Sequence, residues 1–149
     1  MWDTTGLGAR RWRRLTAAVV LGAPALAGNA HHSISAVYDA SRRAAIEGVV
    51  AEFQFVNPHP FVIVTVQGSS GPETWRLELD NRFELARIGI TAETLRPGDR
   101  ISASGSGGRS DPFSLYVRRL DRSDGFSYEQ VGSSPRINGL PAARSGGPH

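Results

Sequence analysis

Three histidines are the residues of this chain best suited to chemistry: the adjacent pair His31 and His32, and His59 in the segment Asn57-Pro58-His59-Pro60. Imidazole nitrogens bind borderline metals. A chain beginning at His31 would add its α-amino group and grip one Cu(II) in a chelate ring, which His59 could close into a nitrogen-rich, square-planar site. Asn57, Pro58 and Pro60 would support that site, because two prolines fix the turn and hold the imidazole in one direction. Cu(I) is the poorer candidate, since no Met or Cys follows residue 30 and soft ligands are absent. The competing expectation is a solvated arm at His31-His32 and a plain tight turn in which the His59 ring caps a backbone carbonyl.

No other constellation reaches a reaction. Ser33, Ser35 and Ser41 have histidines and Asp39 nearby, but no nucleophile-elbow glycines surround them. Glu47, Glu52, Glu78 and Asp80 could pair across strands, yet alternation turns most of them outward, where a solvated charge is the default. No catalytic residue is assigned, and a non-enzymatic binding module is expected. Trp75, Phe53 and Phe55 could stack on bases, but their phase points them inward.

The first 14 residues carry Arg10, Arg11, Arg13 and Arg14 against a single acid, Asp3. From Leu15 to Leu26 the chain is small and apolar, and these 12 residues fall short of the roughly 20 that a spanning helix needs. Residues 1–30 therefore read as a cleavable secretory signal, with Ala25-Leu26-Ala27 and Gly28-Asn29-Ala30 as two small-x-small cleavage sites. Cleavage after Ala30 makes His31 the N-terminus; cleavage after Ala27 leaves it fourth. The paired arginines leave both general and twin-arginine export open, and either route leads to a periplasmic or secreted protein.

Removing the leader also removes the charge. Of the 17 arginines and 14 acids, 13 of each remain from residue 31 on, so the formal +3 belongs to targeting. No basic surplus is left to bind nucleic acid by counterion release. With no cysteine, disulfides are ruled out, and a hydrophobic core must hold the exported fold.

Between Ala44 and Leu120 the periodicity is that of strands. The stretch Ala44 to Phe55 alternates, with Val49, Ala51, Phe53 and Phe55 on one face and a bulge expected at Gly48. Phe61 to Gln67 is apolar on both faces, as a central strand would be. A turn at Gly68 to Pro72 closes a hairpin onto Thr74 to Asp80, where Trp75, Leu77 and Leu79 face in. Asn81 to Ile90 suits one short helix, capped by Asp80 or Asn81 and stopped at Gly89. Arg100 to Ser106 and Phe113 to Leu120 are two further strands around a mobile loop, Gly107 to Pro112. The expected fold is mainly β: a small five-stranded OB-fold-like Greek-key barrel with one short helix between strands 3 and 4, its competitor another small barrel or sandwich. The expected organisation is a signal peptide (1–30), an N-terminal arm (31–43), the barrel domain (44–122) and a flexible Gly-, Ser-, Pro- and Arg-rich tail (123–149).

Several short motifs together carry a resemblance: Ala30-His31-His32-Ser33, Tyr38-Asp39, Glu47-Gly48-Val49-Val50, Val56-Asn57-Pro58-His59, Trp75 with Glu78, Leu85 through Gly89, and Thr94-Leu95-Arg96-Pro97-Gly98-Asp99. Over about residues 30 to 125 the chain resembles a family of small exported bacterial proteins, domain of unknown function 6152. The two histidine motifs are its most specific parts. The resemblance implies an exported single domain of unassigned activity, with a more distant likeness to periplasmic OB-fold binding modules. Expected partners are therefore a metal ion or small ligand, or, as the runner-up, an envelope protein bound on the barrel face with the histidines incidental. No membrane-embedded segment is expected after cleavage.

Overall fold

A computed structural model describes residues 31–139, with side chains described from Ile34 on. The leader, both cleavage sites, residues 140–149 and the side chains of His31 and His32 lie outside the described residues. The elements are α1 (His31–Val37), β1 (Tyr38–Gln54), β2 (Phe61–Gly68), β3 (Gly71–Glu78), α2 (Arg82–Arg87), β4 (Arg100–Gly108), β5 (Ser114–Arg122), β6 (Ser127–Val131) and β7 (Ser134–Asn138).

The strands form one seven-stranded sheet in the order β3-β2-β1-β4-β5-β6-β7, antiparallel except where β3 also pairs with β5 in parallel over Arg76–Glu78 and Ser114–Tyr116. The pairings of the first five strands therefore run β1–β2–β3–β5–β4 and return to β1. The core lies inside this circuit: Ile46, Val50, Val62, Val64, Leu77, Leu79, Ile101, Ala103, Leu115 and Val117 point into it, and Leu85, Ile90 and Leu95 close one end. The void lined by Phe53, Leu79, Ile90 and Leu120 measures about 10 Å³, room for at most one water, so no ligand fits there.

Several sequence expectations need correction. The sheet has seven strands, not five, because the segment expected to be a flexible tail folds back as the hairpin β6–β7. Its Gly132-Ser133 turn has the composition of a linker, whereas Phe126 and Tyr128 are core residues. The expected arm, 31–43, is not separate from the first strand: α1 runs directly into β1, which begins at Tyr38 instead of Ala44, and Tyr38 and Asp39 pair with Gly108 and Gly107. The bulge against β2 falls between Val50 and Glu52 instead of at Gly48. An extra residue there reverses the strand's parity, so Ile46 and Val50 face inward before it and Phe53 after it. Gly48 instead lets the strands approach, because a Cβ on it would lie 2.5 Å from the Thr65 carbonyl oxygen.

The helix between β3 and β4 starts as expected, with Asn81 Oδ1 accepting the Phe83 N–H at 2.8 Å, and Gly89 follows its end at φ 96°. Leu85 is its buried anchor, while Phe83 projects into solvent. The loop between β4 and β5, expected to be mobile, is held at both ends: Arg109 N–H donates to Val37 O, and Phe113 N–H and Ser114 Oγ donate to Asp111. No helix among the described residues is long and apolar enough to cross a membrane.

Candidate functional site

His59 is positioned by carbonyl groups that its prolines leave exposed for bonding. Pro60 O accepts the Leu79 N–H at 2.9 Å and Pro58 O accepts the Arg82 N–H at 2.9 Å, so the Asn57–Pro60 turn, whose Asn57–Pro58 bond is cis, is pinned to the β3–α2 junction. Pro60 is fully buried, whereas Asn57 and Pro58 are exposed. The imidazole itself is buried, its side chain 10% exposed, with Nδ1 3.1 Å from Leu79 O. A carbonyl oxygen can only accept, so Nδ1 carries a proton, and in a neutral ring the lone pair is on Nε2.

Glu78 stands beside this bond. Its Oε1 is 3.7 Å from His59 Nδ1, and its Oε2 accepts the Tyr38 hydroxyl at 2.8 Å. One carboxylate therefore joins three distant parts of the chain: the start of β1, the turn after β1 and the end of β3. Alternation does turn Glu78 outward, but it is not the solvated charge expected there. Its side chain is only 13% exposed, because Tyr38 from β1 and Tyr116, its partner across β5, pack over the outer face of β3. The two tyrosine rings sit 5.8 Å apart at 41°.

Asp80 extends the cluster. It accepts from Gln130 Nε2 at 2.6 Å, and Gln130 Oε1 accepts the Tyr128 hydroxyl at 2.8 Å. Burial, then the hydrogen bond and charge of Glu78, hold the Tyr38 phenol well above the ordinary tyrosine range. Tyr116 is pushed up to about 12, first by burial and then by the charge of Asp80. Tyr128 is raised by the same two causes in the same order.

The N-terminal arm is tied to the β4–β5 loop. Arg109 donates its backbone N–H to Val37 O at 2.8 Å and Nε to Ser35 O at 3.1 Å, and its Nη1 pairs with Asp39 at 3.2 Å. Arg42 Nη1 reaches back to Gly108 O at 2.8 Å. Ser41, donating its hydroxyl and N–H to Asp39, is the main cause holding that carboxyl below its usual range, with Arg109 a smaller one.

Of the three histidines singled out by type, only His59 has a described side chain. Among the described residues no three His, Asp or Glu side chains are grouped to hold a metal. Glu78 lies on the Nδ1 side of the His59 ring, whose hydrogen bond goes to Leu79 O, so it does not share a ligand position with Nε2. Ser35 and Ser41 serve the arm through backbone and Asp39 contacts, and Glu47 and Glu52 are exposed as expected. Sequence reasoning missed Tyr38, Tyr116 and Arg109 as parts of a site. Tyr38 sits 40 residues from its partner, and no local signal links the two.

A comparison with curated proteins returns no match. A family model does match, over residues 18–113, a span that takes in His31, His32, His59, Tyr38, Glu78 and Arg109 and stops just before β5. The chain belongs to the family of unknown function DUF6152.

Proposed function

We propose that the chain is an exported, non-enzymatic binding module of the OB type that takes up one Cu(II) through His59 Nε2 and the N-terminal histidines His31 and His32. The observation that carries this reading is the Glu78 carboxylate shared by Tyr38 and His59. Tyr38 follows α1 directly, and α1 is seven residues, roughly 10 Å of helix at 1.5 Å per residue. The histidine pair is therefore tethered by one short helix to Tyr38, whose hydroxyl shares Glu78 with His59. Further support is the tautomer: histidine metal ligands ordinarily donate their second ring N–H to a carbonyl or carboxylate, as His59 does to Leu79 with Glu78 alongside. An all-nitrogen set without sulfur suits Cu(II).

The OB assignment rests on the closed pairing circuit of β1 to β5, with its single parallel contact, and on α2 lying between β3 and β4. Export to the periplasm rests on the basic and then apolar leader, and cleavage after Ala30 would place the α-amino group of His31 in the ligand set.

The test is a Cu(II) titration of the exported, naturally processed protein, its N-terminus set by intact mass, followed by visible absorption and electron paramagnetic resonance. The expected result is one Cu(II) per chain at micromolar affinity or tighter, with nitrogen hyperfine structure, and clear weakening in His59→Ala. Absence of tight binding, or binding unchanged in His59→Ala, overturns the reading.

A further inference from the structure

We infer that Arg109 is a positioning residue that clamps the N-terminal arm against the β4–β5 loop and thereby sets the affinity of the copper site. The affinity half of this inference rests on the copper reading above.

The helix α1 cannot hold itself. Seven residues are too few for a helix to be stable alone in water, and α1 has neither an acidic residue in its first turn nor a basic one in its last. Its final carbonyls have no partners within the helix. Arg109 supplies partners for two of them, its backbone N–H to Val37 O and its side-chain Nε to Ser35 O, and places a positive charge at the helix C-terminus, where the backbone dipole favours one. The same guanidinium pairs with Asp39, one residue into β1, so a single side chain spans the junction of α1 and β1.

The clamp is reciprocal, because Arg42 returns a bond to Gly108 O. Between Asp39 and Arg43 the β1–β4 register slips, and these bonds hold the arm where the ladder is interrupted. The loop is a firm base for the clamp, since Asp111 accepts from Phe113 N and Ser114 Oγ and fixes its far side. A metal bridging the arm to His59 binds more tightly when the arm is already docked, because less chain entropy is lost on binding.

The experiment compares wild type, Arg109→Gln and Arg109→Lys in the full exported chain. Amide hydrogen exchange is followed at residues 35–38 without metal, and Cu(II) binding is measured by competition titration. Arg109→Gln is expected to speed exchange at residues 35–38 at least tenfold, leave the amides of β2 and β3 protected, and weaken Cu(II) binding about tenfold. Arg109→Lys keeps the charge but loses the two-directional fork, and should fall between the two. Unchanged exchange at residues 35–38 in Arg109→Gln overturns the clamp, whatever copper does. Faster exchange with unchanged copper affinity overturns the link to the site. Failure of wild type to bind copper overturns the copper reading and the affinity half of the inference, while the exchange result still decides the clamp.

Discussion

Raising the pH should unfold this protein through its tyrosines. The chain has three, Tyr38, Tyr116 and Tyr128, and all three are buried with raised pKa values. Below pH 10 both the folded and unfolded states hold the phenolic protons, and nothing is lost. Above pH 10 the unfolded chain releases protons that the folded chain keeps, so stability falls as pH rises. Each phenol then costs about 1.4 kcal/mol per pH unit until its own folded pKa is reached. At pH 11 the three together remove about 4 kcal/mol, a large part of the 5–15 kcal/mol that holds a typical domain. The chain has no lysine, and its arginines stay charged throughout, so the phenols dominate titration in this range. Phenolate absorbance at 295 nm and far-UV circular dichroism, recorded together from pH 8 to 12, are expected to change in one coincident, cooperative step above pH 10.5. Smooth ionisation centred at pH 10 with an unchanged dichroism spectrum would refute the burial argument.

Two other expectations follow from contacts in the same region. Glu78→Gln keeps an acceptor for Tyr38 but removes the charge beside His59, and should weaken Cu(II) binding about 10- to 100-fold with little change in dichroism; equal affinity would show that Glu78 does not orient the ring. Phe126→Ala should cost about 3–5 kcal/mol in a urea titration, since the ring is buried in the common core and stacked 5.0 Å from the Arg122 guanidinium; a loss near zero would mean that the β6–β7 hairpin is not part of the folding unit.

Local features of the fold were legible because they depend on neighbours in sequence. The alternation of Trp75, Leu77 and Leu79, the doubly apolar Phe61–Gln67 stretch and the Asn81 cap all reflect short-range geometry, and each has its expected place. The features misread were those that need a partner to be interpreted. Gly132-Ser133 has the same composition in a linker and in a hairpin turn, and only the pairing of β6 with Arg119–Asp121 of β5 distinguishes them. Arg122 looks like a surface residue next to Asp121, yet its side chain is buried, donating to Thr94 O and Asp124 and stacking on Phe126. A buried guanidinium is tolerated only where distant groups converge on it.

His59 divides along the same line. Residue types and spacing alone determined that a rigid, proline-flanked imidazole stands in a turn and that no Met or Cys after residue 30 accompanies it. Only the tertiary structure decided which ring nitrogen holds the proton and that the Glu78 carboxylate brings the arm's end to the same spot. Side-chain periodicity records which face of a strand looks outward, but whether that face meets water or another part of the chain depends on contacts spanning tens of residues, such as the 40 between Tyr38 and Glu78.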